Sequence, residues 1–153
     1  MEPIVDFKIL PERLRQAAQV VTVAVASPAD SHTEEVIERS IAEQFARFIL
    51  VANAAKADIA RRLAADYPDK VTLIVAEDDD DAARHAVKEV REGRADVLMK
   101  GSLNTDNLLR AVLNKEEGIL IKGSVLTHIA VADVPSLNHL LFFTDAAVIP
   151  YPT

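Results

Sequence analysis

The chain lacks cysteine and tryptophan and has few aromatic residues of any kind. Without thiols, the sequence excludes disulfide frameworks, thiolate zinc sites and cysteine nucleophiles. Five Phe and two Tyr leave few side chains on which nucleic-acid bases could stack. Apolar runs such as residues 20–26, which contain Thr22, fall far short of the roughly 20 residues that span a bilayer. The sequence therefore predicts neither a nucleic-acid partner nor a membrane partner.

Positive charge is also scarce, because 17 Lys and Arg face 24 Asp and Glu, for a net charge of −7. Such a surface repels polyanions as a whole, so any anionic ligand must be captured by a few placed groups. The first 14 residues carry charges where a signal peptide has its apolar core. We therefore expect a cytoplasmic protein.

Half of the 153 residues are apolar, which is enough for one domain with a real core. Four short apolar runs are typical of buried strands, and helical stripes of apolar residues lie between them. The runs cover residues 20–25, 48–51, 71–75 and 96–99. This alternation predicts an α/β fold of three layers, in which helices cover both faces of a mostly parallel sheet. We take residues 1–153 as a single domain.

The pattern changes after Gly118. Residues 125–131 and 140–143 read as strands, and the loop around Pro135 between them is too short for a helical crossover. We therefore expect an antiparallel pair here. Earlier in the chain, the acidic run at residues 77–81 suits either a divalent cation or the cap of the next helix, and capping is the preferred interpretation.

The segment from Lys100 to Thr105, KGSLNT, follows a predicted strand and opens a predicted helix. Ligands of parallel sheets bind at the carboxyl ends of strands, and helix amino termini offer free N–H groups to anions. Gly101 would admit a close backbone approach, while Lys100, Ser102 and Thr105 would add donors. The spacing leaves open a plainer alternative, a tight turn with an Asn or Thr cap. Lys122 begins a second KGSxxT sequence, which we attribute to coincidence.

Two further residues stand out by position. His128 follows Thr127 inside an apolar stretch, which suits either a ligand-binding or a structural histidine. Asp145 ends a predicted strand, which suits either a functional carboxylate or a cap for the next segment. No metal-ligand spacing and no Ser-His-Asp order emerges from the sequence.

Several segments resemble the phosphate acetyl/butyryltransferase family, and especially its phosphate butyryltransferase branch. Residues 95–118, ADVLMKGSLNTDNLLRAVLNKEEG, look like the family signature. Residues 125–128 (VLTH), 141–148 (LFFTDAAV) and 150–153 (PYPT) resemble three later family segments. Residues 12–92 share the family's alternation of helices and strands, with weaker sequence similarity. One departure is Ile149, which stands where the family usually has Asn.

The resemblance implies an isocitrate dehydrogenase-like fold, of which this chain would supply the first α/β/α domain. Family members are about twice as long, so we expect that the second domain and the returning C-terminal segment are absent. The apolar strand faces left uncovered would then favour a homo-oligomer or marginal stability.

The resemblance also implies a reaction: acyl-CoA plus phosphate gives acyl phosphate plus CoA, with short acyl groups such as acetyl or butyryl. Coenzyme A would be a substrate, and no cofactor would be bound permanently. The alternative is a truncated or degenerate domain that binds CoA or phosphate without catalysis, or a partner subunit.

Site residues are implied by the same resemblance. Arg110 is similar to an arginine that the acetyltransferase branch uses for its substrate. Residues 100–102 and Thr105 would contact phosphate or CoA, while His128 and Asp145 would line the cleft floor as catalytic candidates.

Overall fold

The computed structural model describes residues 4–17 and 19–144, which belong to two compact units. The larger unit is residues 19–121, here called the sheet unit. The described part of the smaller unit is residues 4–17 and 122–144, here called the ribbon unit.

The sheet unit alternates strands and helices in the order that the sequence predicts. Its elements are β1 (Val21–Ala26), α2 (Ser31–Ala42), β2 (Ala46–Asn53), α3 (Asp58–Asp66), β3 (Val71–Ala76), α4 (Asp79–Arg91), β4 (Val97–Lys100) and α5 (Thr105–Val112). The ribbon unit holds α1 (Leu10–Ala17), β5 (Ile129–Asp133) and β6 (Leu140–Thr144).

The four strands of the sheet unit form one parallel sheet in the order β3-β2-β1-β4. The register pairs Val23 of β1 with Phe48 of β2 on one side and with Val97 of β4 on the other. Apolar residues along whole strands are the expected pattern for a sheet buried on both faces. The predicted mostly parallel α/β fold is confirmed.

Alternate residues of each strand point to opposite sides of the sheet, and helices cover both sides. On one side, Val25 and Leu50 pack in a buried cluster with Ile37 of α2 and Leu63 of α3. On the other side, α4 and α5 contribute the apolar residues that pack on the strands. That second cluster includes Ala24, Ala26, Val51, Ala83, Ala86, Val87, Ala111 and Val112.

Acidic side chains cap α2 and α4. Asp30 accepts a hydrogen bond from the Thr33 N–H at 2.9 Å at the start of α2. Asp78 accepts one from the Asp81 N–H at 2.8 Å at the start of α4, so the capping interpretation of the acidic run is confirmed. Within residues 4–17 and 19–144, no three His, Asp or Glu side chains are grouped to hold a metal ion.

The ribbon unit contains β5 and β6, which pair antiparallel as expected. Val131 lies opposite Phe142, and these side chains are 38% and 66% exposed. The Oδ2 atom of Asp133 accepts a hydrogen bond from the Phe7 N–H at 3.2 Å. Among the described residues, no helix has the length and apolar character needed to cross a bilayer.

Two predicted boundaries are wrong. The strand predicted over residues 125–131 begins only at Ile129, which pairs with Thr144, and residues 125–128 have no described ladder partner. The Ala-rich run at residues 54–66 predicts a helix from residue 54, but α3 begins at Asp58. The reason is that Asn53 accepts a hydrogen bond from the Ala55 N–H and folds residues 54–56 into a 3₁₀ turn. Helix α1 was not predicted.

Candidate functional site

The strand order places a crevice at the carboxyl ends of β1 and β4. The chain moves outward from β1 through β2 to β3, and then returns to add β4 on the opposite side of β1. Connections therefore leave β1 and β4 toward opposite faces of the sheet. Such a switch point is where open α/β sheets bind ligands. The segment beginning at Lys100 lies at this point, because Lys100 is paired with Ala26 at the end of β1.

Gly101 closes the crevice at its base by direct backbone contact. Its N–H donates to the Ala26 carbonyl at 2.9 Å, and the next N–H, of Ser102, donates to the Ser27 carbonyl at 2.8 Å. A Cβ atom at residue 101 would lie 2.4 Å from the Ser27 carbonyl oxygen. Only glycine fits this approach, which gives a physical reason for the Gly predicted at this turn.

The rest of the turn leads into α5. The Ser102 hydroxyl donates to the Ser27 carbonyl at 2.9 Å. The Lys100 ammonium donates to the Gly101 and Leu103 carbonyls at 3.1 and 3.0 Å, so it stabilises the turn itself. Thr105 is the exposed first residue of α5, and among the described residues the Asn104 side chain makes no capping bond to it or its neighbours. Among the described residues, no side chain caps the first-turn N–H groups of α5, and the Asn107 N–H donates to the Asn104 carbonyl at 3.2 Å.

Asp79, the first residue of α4, joins three segments at this edge of the sheet. Its Oδ1 accepts from the Ser27 hydroxyl at 3.1 Å and from the Asn53 amide at 3.0 Å. Its Oδ2 accepts from the Lys56 ammonium at 3.0 Å. The Asn53 hydrogen bond, with smaller contributions from Lys56 and Ser27, lowers the pKa of Asp79 below its usual value despite partial burial. Asp79 is therefore a charged carboxylate that fixes the ends of β1 and β2.

Ser27 is itself unusual, because it has a φ of +56° while being 1% exposed. That backbone region disfavours residues other than glycine, asparagine and aspartate. The Ser27 carbonyl accepts a hydrogen bond from the Ser102 hydroxyl, and the Ser27 hydroxyl donates one to Asp79. One strained residue thus connects the β4 turn to the carboxylate of α4.

A cleft of about 450 Å³ opens on this edge of the sheet. Its lining comes from the segments that follow β1, β2 and β4, namely Ala29, Lys56, Asp58, Ile59 and Ser102. Volumes of this size are typical of small-molecule sites. The cleft thus combines one ammonium, one carboxylate, one hydroxyl and the apolar side chains of Ala29 and Ile59.

Arg110 lies further along α5 and lines other clefts. Its guanidinium is 3.3 Å from Asp80 of α4, which also accepts from the Asn107 amide at 2.6 Å. Arg110 lines a cleft of about 210 Å³ between α4 and α5 and a shallower one of about 540 Å³ beside Leu109. Of the predicted residues 100–102 and 105, Ser102 lines the cleft, while Arg110 lies on the same helix as Thr105 and lines other clefts.

Two candidates remain, His128 and Asp145. His128 belongs to the ribbon unit, in the segment before β5, and it is half-buried. Its Nδ1 atom is fully buried and has no hydrogen-bond partner among the described residues. Asp145 lies outside the described residues.

Sequence reasoning missed four residues of this site: Ser27, Asn53, Lys56 and Asp79. Two of them carried a usable signal, because Ser27 and Asn53 are polar residues that directly follow, or end, an apolar strand. Lys56 comes three residues after Asn53 and carried none. Asp79 belonged to a run of five acids that was interpreted only as capping, and the sequence did not distinguish it from its neighbours.

Comparisons with known proteins agree with these features. The sequence profile described as Phosphate acetyl/butaryl transferase matches residues 74–153, more than half of the chain. A phosphate butyryltransferase of Clostridium beijerinckii is 40% identical over 144 residues, a match that covers 92% of this chain and 47% of that protein. A probable phosphate butyryltransferase of Bacillus subtilis is 36% identical over 127 residues, covering 83% of this chain and 42% of that protein.

The fold has a matching solved structure as well. A branched-chain phosphotransacylase from Enterococcus faecalis superposes with a TM-score of 0.70 at 24% identity, covering 88% of this chain and 46% of that one. The chain thus spans less than half the length of the curated relatives that it matches. With the profile match over residues 74–153, these similarities show that the chain belongs to the phosphate acetyl/butaryl transferase family.

Proposed function

We propose that this chain is the amino-terminal, phosphate- and CoA-binding part of a phosphate acyltransferase. The reaction would exchange acyl-CoA and phosphate for acyl phosphate and CoA, with a short acyl group such as acetyl or butyryl. The observation that carries the proposal is the crevice at the β1/β4 switch point, built by the segment that most resembles the family signature. Both compact units would belong to this one part of the larger protein.

The crevice offers the chemistry that the reaction needs. A phosphate oxygen would attack the thioester carbon, so that a C–O bond forms, the C–S bond breaks and the CoA sulfur leaves as a thiolate. Negative charge then develops on the carbonyl oxygen, and N–H donors and cations nearby would stabilise it. The first turn of α5, which has no side-chain cap, would supply backbone N–H donors. Arg110, paired with Asp80, is our candidate for a substrate-contacting arginine.

The other predicted residues keep their proposed roles. Lys100, Gly101, Ser102 and Thr105 would shape the phosphate or CoA site, with Lys100 holding the turn through two carbonyls. His128 and Asp145 stay predicted residues of the cleft floor. A homo-oligomeric state and a cytoplasmic location also stay predictions.

Phosphate-dependent release of free thiol from butyryl-CoA tests the proposal. We expect turnover that needs both substrates and that falls at least tenfold in Arg110→Ala, as loss of a charged substrate contact would cause. Lys115→Gln, an exposed loop lysine, is the matched control. A folded chain that binds neither phosphate nor CoA would contradict the proposal.

The alternative function is a domain that binds CoA and phosphate without catalysing the exchange. The two candidates are separated by the same assay combined with a binding measurement. Binding of both ligands without turnover would indicate the non-catalytic domain.

A further inference from the structure

The cation in the cleft is Lys56, a residue that neither the sequence pattern nor the family signature singles out. Lys56 lines the cleft together with Ser102, whereas the Lys100 ammonium is engaged by two carbonyl oxygens of its own turn. The Lys56 side chain is 51% exposed, so a ligand in the cleft can reach its ammonium. The structure thus separates two lysines: Lys100 supports the turn, and Lys56 faces the cleft.

Asp79 holds the Lys56 ammonium in a defined place. A free lysine side chain is flexible and loses about 2 kcal/mol of rotamer entropy when it is fixed. Here a bond of 3.0 Å to the Asp79 Oδ2 atom already restricts it. An ammonium has three N–H donors, and within residues 4–17 and 19–144 only Asp79 accepts from Lys56, so two donors remain for a ligand.

The negative charge of Asp79 does not prevent Lys56 from binding an anion. The Asp79 carboxylate accepts hydrogen bonds from three donors, on Ser27, Asn53 and Lys56. It also lies in the first turn of α4, where the helix dipole favours a carboxylate. The acid that lines the cleft, Asp58, has a fully exposed side chain, 3.6 Å from the Arg61 guanidinium.

We propose that Lys56 is a further substrate-contacting residue of the cleft, donating a charge-assisted hydrogen bond to an anionic phosphate oxygen, and that Asp79 is its positioning residue. The inference rests on the proposed function. The phosphate oxygen belongs either to inorganic phosphate or to a phosphate group of CoA, and the two sources share this chemistry. Ser102 lines the same cleft, and its single hydroxyl donor already bonds to the Ser27 carbonyl, so the charge-assisted bond comes from Lys56.

The test is a pair of titrations of the 153-residue chain, one with inorganic phosphate and one with CoA, at constant ionic strength. Amide chemical shifts of Ala29, Lys56 and Ser102 report on the cleft. We expect Lys56→Gln to raise the Kd for one of the two ligands at least tenfold, and Lys56→Arg to stay within about threefold of the original. The ligand that is affected identifies the source of the phosphate. Lys115→Gln is the matched control for loss of one lysine charge.

Unchanged Kd values for both ligands in Lys56→Gln would overturn the inference while leaving the proposed function standing. If neither ligand shifts any amide of the cleft or of residues 101–105, the proposed function and the inference both fail. A measurement without substitution guards against misfolding of the variant: the Lys56 Cε resonance of the original chain must move as the ligand saturates the cleft. A resonance that does not move contradicts a contact at Lys56.

A mutant cycle tests the positioning role of Asp79. Asp79→Asn keeps the shape of the side chain and removes its charge. If Asp79 acts through Lys56, the change in Kd that Asp79→Asn causes shrinks to less than about twofold in the Lys56→Gln background. A merely structural or directly repulsive carboxylate would cause the same change in both backgrounds.

Discussion

The sheet unit and the ribbon unit differ in how far their apolar residues are buried. In the sheet unit, Leu50 and Val51 are fully buried, because helices cover both faces of the parallel strands. In the ribbon unit, Ile129 and Phe142 are 64% and 66% exposed, and Leu140 is the only apolar residue that is buried among those described there. The two units have similarly apolar strands but different degrees of cover.

This difference shows that strand composition alone does not make a core. Each parallel strand is followed by a helix that returns over the sheet, so cover is supplied by the connection itself. Strands β5 and β6 are joined by a short loop instead, which supplies no cover. A two-stranded ribbon is marginally stable alone. We therefore assign most of the stability of the chain to the sheet unit.

The largest expected effect comes from truncating the core. Leu50→Ala should lower the free energy of unfolding by about 3 kcal/mol, because Leu50 is fully buried between two strands and the helices that cover them. Phe142→Ala, its counterpart in the ribbon, should change it by less than about 0.5 kcal/mol. Urea unfolding of both variants measures the difference. Equal losses would show that the ribbon is stabilised as strongly as the sheet.

A smaller effect is expected from comparing two carboxylates. Asp79→Ala removes the acceptor of three side chains and leaves the part-buried Asn53 amide unpaired, at a cost of about 2 kcal/mol. Asp133→Ala removes an exposed acceptor of one backbone N–H in the ribbon, at a cost of about 0.5 kcal/mol. Thermal unfolding of the two variants ranks them, and the reverse order would refute the role of Asp79 as a structural junction.

The smallest effect is a difference in pH dependence. Because the pKa of Asp79 is lowered in the folded state, its contribution to stability is complete above its usual value of 3.8 and is lost as the pH falls through the lower folded value. Asp79→Asn should therefore be less stable at neutral pH and lose less stability on acidification. Urea midpoints measured from about pH 5 to pH 2 test this. Parallel curves for the two proteins would indicate no such contribution.

Periodicity was sufficient to predict the sheet unit, since every strand there is an apolar run followed by a helical stripe. The antiparallel pair was also predicted, but the start of β5 was not. Val125 and Leu126 are apolar like the residues of a strand, yet strand formation needs a partner ladder, and sequence polarity does not show one. Likewise, the caps at Asp30 and Asp78 follow from residue type, whereas the 3₁₀ turn at residues 54–56 depends on one Asn53 hydrogen bond.

The candidate site was predictable only in part, for a topological reason. Gly101 and Ser102 belong to a recognisable segment, and the sequence places them correctly after a strand. Lys56 and Asp79 come from other segments, which meet the turn only because β4 returns to the side of β1. A local sequence pattern does not show which distant segments come into contact, so these two residues could be identified only from the structure.

The bond between Ser102 and Ser27 joins residues 75 positions apart in the chain. A ligand that contacts both Ser102 and Lys56 would likewise join segments that are distant in sequence, and so would act as a reversible cross-link that closes a long loop. Its binding would then raise the free energy of unfolding of the whole sheet unit, and not only that of a local opening. Slow hydrogen exchange in β1 and β4, rather than in the turn alone, would be the signature of an occupied cleft.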